Sequence, residues 1–211
     1  TIGITGMLQF FKNKATLFLA FSYLLLVLLL IGLPSFGSNF GGIIAGSISF
    51  GYFLLKIFYK RLTPFHLATC LALIAIAISV IFIFDGSKDI SAQSHFGRTA
   101  NLLYNQGLTP LLEIAGRKLN MNLKLFRYTI WSRVFILGMT VLIIAFFKPY
   151  YLIKRLKIKY PLIAAGFFAI IIGSIAALLT NDSGIVAAAT MLIFVVAPLI
   201  CLGGVLYQKS E

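Results

Sequence analysis

Ser91-Ala-Gln-Ser-His-Phe-Gly-Arg98 holds a histidine and an arginine three residues apart, the pairing in this chain best suited to chemistry. His95 is of the type that exchanges a proton near neutral pH, and Arg98 offers a permanently charged fork that matches phosphate. The pair suits a phosphorylated group, and it suits a local hydrogen-bonded loop as well. Arg117-Lys118-Leu-Asn-Met-Asn122 adds two cations and two amides, with Arg127, Tyr128, Trp131 and Arg133 following. Polar groups at the mouth of a helix bundle need partners, so Arg133 is expected to pair with Asp182, as a structural bridge or beside a ligand.

Asn181-Asp182-Ser183-Gly184 is built of turn formers, and Asp182 is the only acid in the last third of the chain before Glu211. It reads as a turn or a helix cap, with a ligand or proton site as the alternative. Pro34-Ser-Phe-Gly-Ser-Asn-Phe-Gly-Gly42 offers Asn39 and two serines as donors, and glycines that permit close backbone approach. It lacks the lysine of a Walker phosphate loop, so close packing of neighbouring helices is its default reading, continued by Gly46, Ser47 and Ser49. No HExxH, Cys/His cluster or pair of carboxylates at hydrolytic spacing occurs, so no metal site, no cofactor and no complete enzyme is expected in this stretch. Cys70 and Cys201 lie far apart inside apolar runs and read as small buried residues.

The elements that must position these groups are apolar. The chain has 60% hydrophobic and 11% charged residues, and its mean hydropathy is +1.01. Runs such as Ala15 to Leu33 and Ile185 to Leu206 are long enough to cross a hydrocarbon core of roughly 30 Å. Backbone groups in lipid must be satisfied internally, and these runs lack the alternation of barrel strands. The expected fold is therefore all-α: a polytopic transmembrane helix bundle in one domain, residues 1–211, with about six full spans at about 15–33, 42–59, 66–84, 130–147, 161–179 and 185–206. Residues 1–11 run directly into Lys12 and Lys14 and read as the second half of a helix whose first half is missing, as in a C-terminal piece of a larger protein.

The net charge of +13 belongs to membrane orientation rather than to nucleic acid, because much of it sits at the ends of apolar runs. Lys12, Lys14, Lys56, Lys60, Arg61, the Lys148 to Lys159 cluster and Lys209 fall together if six spans alternate, which marks that side as cytoplasmic. Residues 34–42, 85–133 and 180–184 then emerge together on the extracytoplasmic side. The long segment is also basic, an exception that long loops tolerate.

Within it, Pro110 suits the first turn of a helix. Leu112, Ala115, Leu119, Leu123, Phe126 and Ile130 form an apolar stripe, and Glu113, Arg117, Asn120, Lys124 and Arg127 form a polar one. This extracytoplasmic amphipathic helix either lies among headgroups, with its cations on lipid phosphate, or walls a polar cavity for an anionic ligand.

Residues 34–42, Ser94-His-Phe-Gly-Arg98, Arg117 to Lys124, Tyr128 to Arg133 and Asn181 to Gly184 resemble the C-terminal half of a family of bacterial multi-pass envelope proteins of Gram-positive lineages. Members carry an upstream alkaline-phosphatase-like (phosphoglyceromutase-like) domain. The resemblance spans nearly the whole chain, and it implies that any metal-dependent phosphate chemistry lies upstream of Thr1; it assigns no catalytic residue here. Taken together, these features lead us to expect an extracytoplasmic polar mouth that binds or positions a phosphate-bearing or anionic lipid-linked envelope substrate. His95, Arg98, Arg117, Lys118, Arg133 and Asp182 would line it, with Asn39 and Asn181 as orienting donors. The alternatives are half of a transporter or flippase, in which Lys56 is the main charge within a span, and a passive anchor.

Overall fold

A computed structural model of the chain describes residues 2–11, 13–33, 36–37, 39–59, 61–88, 93, 95–107, 109–147 and 150–208. Ten helices follow one another among them: α1 (Ile2–Phe10), α2 (Lys14–Gly32), α3 (Phe40–Phe58), α4 (Pro64–Gly86), α5 (His95–Gln106), α6 (Thr109–Tyr128), α7 (Ile130–Phe147), α8 (Tyr150–Lys159), α9 (Pro161–Thr180) and α10 (Gly184–Gln208).

Local sequence accounts for most of the helix starts. Asn13 and Asn39 accept hydrogen bonds from the backbone N–H groups of Thr16 and Gly42, each at 2.8 Å, and so satisfy donors that the first turns of α2 and α3 leave open. Thr63 caps α4, and His66 closes the box by accepting from the Thr63 N–H at 3.2 Å. Pro64 and Pro161 stand in the first turns of α4 and α9, where no N–H is needed. Gly107, at φ 70°, ends α5 in the left-handed region that glycine enters without penalty.

Helix α9 is the centre of the bundle, with ten buried residues, most of them small. Small residues let backbones approach: a Cβ on Gly173 would stand 2.7 Å from the Ser49 Cβ of α3. On one side α9 joins Leu8, Leu24 and Phe53 of α1, α2 and α3. On the other, Phe167 and Ile170 meet Leu142, Leu156, Leu192, Val195 and Leu199 of α7, α8 and α10.

Contacts along the helices fix their directions. The start of α3 meets the end of α9, where Thr180 Oγ1 donates to the Gly41 carbonyl at 3.2 Å, so the two run antiparallel. Helix α4 is antiparallel to α3, with Phe82 edge-on to Phe40 at 5.4 Å and His66 beside Tyr59 at 4.1 Å. Helix α2 is antiparallel to α3 too, Leu28 closing on Gly46 and Ile43 on Gly32. The end of α2, the start of α3, the end of α4 and the α9–α10 turn therefore share one end of the bundle. Lys14, Lys56 and α8 mark the other.

Among the described residues four helices are long and apolar enough to cross a membrane: α2, α3, α9 and the 184–204 stretch of α10. A fifth is reached if α6 and α7, bent by 88° at their junction, are counted as one broken span. Among the described residues four or five such crossings are therefore found, where the sequence leads to an expectation of about six. The regions 66–84 and 130–147, the other two expected spans, are helical as α4 and α7. Outward-facing Phe18, Leu73, Leu137 and Phe194 are each more than 60% exposed. Such apolar side chains over the flanks of a helical bundle suit contact with hydrocarbon rather than water.

Candidate functional site

At the α9–α10 end, the amphipathic segment forms α6, with Pro110 in its first turn as its sequence suggests. Ile114, Lys118, Asn122 and Leu125 recur every three or four residues, and all four are partly shielded. Two of them make the dock. Lys118 Nζ donates to the Thr180 carbonyl at 2.6 Å, and its ammonium stands 3.5 Å from Asp182 Oδ1. Asn122 Nδ2 donates to the carbonyls of Leu178 and Asn181, each at 3.2 Å, while its Oδ1 accepts from the Ile185 N–H at 3.1 Å. One amide thus serves the last carbonyls of α9 and a first-turn donor of α10 together. The cap anticipated from Asp182 or Ser183 is supplied instead by a side chain 63 residues away.

Gly41 lets α3 into this joint. A Cβ there would lie 2.7 Å from the Thr180 carbonyl oxygen and 2.5 Å from Asn181 Oδ1. Gly41→Ala is expected to lower stability by about 1–3 kcal/mol through overpacking against backbone. Gly116→Ala, on α6 with open space around it, is expected to raise stability by about 1 kcal/mol through helix propensity. Thermal unfolding in detergent checks both signs, and equal shifts for the two variants would count against this packing.

Of the expected site residues, Lys118 meets Asp182 and the Thr180 carbonyl, Asn181 stands beside Gly41 of α3, and Asn39 caps α3 two residues before Gly41. The structure does not bring in Arg133. The partner of Asp182 is Lys118, and Arg133 is exposed on α7 without an ion pair among the described residues. The physical reason is the 88° bend after Tyr128, which puts α7 on a new axis while α6 stays over the turn. Hydroxyls line that elbow: Ser132 Oγ donates to the Leu125 carbonyl at 3.2 Å and lies 3.4 Å from Thr129 Oγ1.

A second polar knot joins α4 to α5. Asp85 is fully buried, with Oδ1 2.9 Å from Lys88 Nζ and Oδ2 accepting the Gly97 N–H at 2.8 Å. A carboxylate aimed at the first turn of a helix meets both an unpaired donor and the positive end of the helix dipole. Gln93 Nε2 donates to the carbonyls of Gly86 and Lys88, at 3.1 and 2.7 Å, and its Oε1 accepts from Asn101 Nδ2 at 2.8 Å. Arg98 projects from α5 as an exposed residue. The His95 side chain lies outside the described residues, so the expected His95–Arg98 pair is represented by Arg98 alone.

Asp85, Gln93, Asn101 and Asn122 organise these joints, and none of them is among the expected site residues. Asp85 carries a signal in hindsight: an acid at the end of a long apolar run must find a partner or lose its charge. Asn122 carries none beyond its place in an amide-rich run.

Around α6, at about 100° per residue, three stripes separate. Ile114, Lys118, Asn122 and Leu125 dock on the bundle. Leu112, Leu119, Leu123 and Phe126 are exposed on the second stripe, and the third carries exposed Glu113, Arg117, Asn120, Lys124 and Arg127. Glu113, Arg117, Asn120 and Lys124 line an open groove of about 580 Å³ that runs along this one helix. Among the described residues, the basic stripe is exposed along the surface of this helix. Among the described residues, no three His, Cys, Asp or Glu side chains gather as a metal site.

All-helical among its described residues, with four or five helices there able to cross a bilayer, the chain is built as a multi-pass membrane protein. No protein-family model matches it, and comparison with curated proteins and with solved structures finds no match either.

Proposed function

We propose that the chain is a membrane domain whose extracytoplasmic end binds or positions a phosphate-bearing or anionic lipid-linked envelope substrate for an upstream phosphatase-like domain. One observation carries this reading: α6 lies across the direction of α7 at 88° with Arg117, Lys124 and Arg127 on its outward face. If α7 follows the membrane normal, α6 lies in the membrane plane. Its exposed Leu112, Leu119, Leu123 and Phe126 then enter the acyl boundary while the cations stay level with phosphates. Arg98 on α5 adds a further exposed cation to the described charges of that end. Lys118, Asn122, Asn181 and Asp182 serve by holding α6 in place.

Arg117→Gln/Lys124→Gln/Arg127→Gln is expected to reduce binding of a polyprenyl phosphate in mixed micelles by about tenfold or more, since each surface cation contributes about 1 kcal/mol toward an anionic surface. Unchanged affinity in a variant with normal unfolding would overturn the proposal. That outcome would favour the passive anchor, a reading supported by the internal hydrogen bonds that occupy Lys118 and Asn122. Solute flux through vesicles containing the chain would favour the transporter half.

A further inference from the structure

At the opposite end of the bundle, a groove of about 780 Å³ opens between α1, α3, α8 and α9. Its polar lining comes from Gln9, Tyr52, Lys56 and Lys157, and its apolar lining includes Leu8 and Phe168. We propose that this groove binds one anionic phospholipid, its phosphate between Lys56 and Lys157 and the start of an acyl chain along the apolar wall.

Charge is the first support. Neither lysine has a carboxylate partner among the described residues, and both described ion pairs, Lys88–Asp85 and Lys118–Asp182, belong to the other end. Lys157 Nζ stands 4.8 Å from the centre of the Phe168 ring, which holds the ammonium at the groove by a cation–π contact while leaving its N–H groups able to donate. Depth is the second support. Lys56 is in the last turn of α3 and Pro161 in the first turn of α9, so the groove sits where both helices reach their ends and where lipid headgroups would lie if they cross. Amides supply the third. Gln9 spends its Oε1 on the Leu162 N–H at 3.0 Å, which fixes the side chain and leaves its NH₂ hydrogens for a phosphate or glycerol oxygen. Basic pockets between spanning helices are a general mode of binding anionic headgroups. A soluble anion would make no use of the apolar wall, and a zwitterionic lipid would bring its own cation toward two lysines.

Native mass spectrometry of the full chain in detergent, titrated with phosphatidylglycerol or phosphatidylcholine, tests this. Wild type is expected to retain a single phosphatidylglycerol in preference to phosphatidylcholine by about tenfold. Lys56→Gln/Lys157→Gln is expected to lose that preference. A variant of equal charge loss is expected to keep it: Lys154→Gln/Lys159→Gln, exposed on α8 outside the groove lining. Retained preference in Lys56→Gln/Lys157→Gln overturns the proposal. So does equal loss in the α8 control, which would mean general attraction, and so does displacement of the lipid by inorganic phosphate at low concentration, which would leave the apolar wall without a role. Loss in Arg117→Gln/Lys124→Gln, on the α6 surface proposed above, with the preference retained in Lys56→Gln/Lys157→Gln would count for that surface and against this groove, so the two sites fail separately. Coincident unfolding curves for all variants show that each result reports binding.

Discussion

Asp85→Ala is expected to lower stability by about 2–4 kcal/mol, the largest loss from a single polar side chain among those described. The carboxylate is buried, at 1% side-chain exposure, and serves Lys88 and the Gly97 N–H together. Lys88, at 35% exposure, can turn toward solvent when its partner goes. The Gly97 N–H is buried under the end of α4 and cannot, so it bears the cost of an unmade hydrogen bond. Asp85→Asn is expected to fall between: its Oδ1 still accepts from Gly97, while its NH₂ faces the Lys88 ammonium. Asp182→Ala gives the contrast, since that carboxylate is 75% exposed and 3.5 Å from Lys118. Its removal is expected to change stability by no more than about 0.5 kcal/mol. Thermal unfolding in detergent ranks the three, and hydrogen exchange should show α5 amides opening first in Asp85→Ala. Equal melting temperatures for Asp85→Ala and Asp182→Ala would refute the assignment of Asp85 as the knot between α4 and α5.

The contrast between the two aspartates also shows what a sequence can convey about this chain. Spans are legible because length and unbroken apolar character are local properties. Pro110 announces α6 for the same reason, and so do its three-and-four spacings. Helix α5 is different: HFGRTANLLYNQ has no net apolar character, and what holds its first turn is an acid ten residues before His95. Helix α8 is hidden by its charges, since Lys154, Arg155, Lys157 and Lys159 crowd Ile153 and Leu156, which are buried.

Candidate site residues were legible by type and much less by partner. Lys118 does meet Asp182 beside Asn181, while Asn39 serves as the cap of α3. Whether Lys118 or Arg133 reaches Asp182 depends on a bend between Tyr128 and Ile130 that no periodicity encodes. Both stripes of α6 were legible, yet the docking face lies between them as a third. It consists of Ile114, Lys118, Asn122 and Leu125, a mixed row that neither an apolar nor a polar template selects. A helix that buries a lysine and an amide against a turn and leaves its leucines outside makes sense where the surroundings of those leucines are lipid.

That arrangement makes Asn122 the residue on which the placement of α6 turns. Asn122→Ala is expected to lower stability by about 1–3 kcal/mol, because it removes an acceptor from the Ile185 N–H and a donor from two carbonyls at the α9–α10 turn. Asn122→Asp separates the two halves of the role. A carboxylate still accepts from Ile185 and gains from the dipole at the start of α10, but it faces the Leu178 and Asn181 carbonyls without a hydrogen to offer. Repulsion there acts at two contacts against one retained, so the aspartate is expected to remain destabilising while α10 keeps its first turn protected in hydrogen exchange. In Asn122→Ala that protection is expected to fall together with the docking of α6, read as faster labelling of a cysteine placed by Leu125→Cys in each background. The binding consequence follows from the same geometry: with α6 released, Arg117, Lys124 and Arg127 no longer hold one plane, and polyprenyl phosphate affinity is expected to drop although every cation remains. Full affinity in a variant with α6 undocked would show that the cations act as loose charges and that the 88° elbow has no part in recognition.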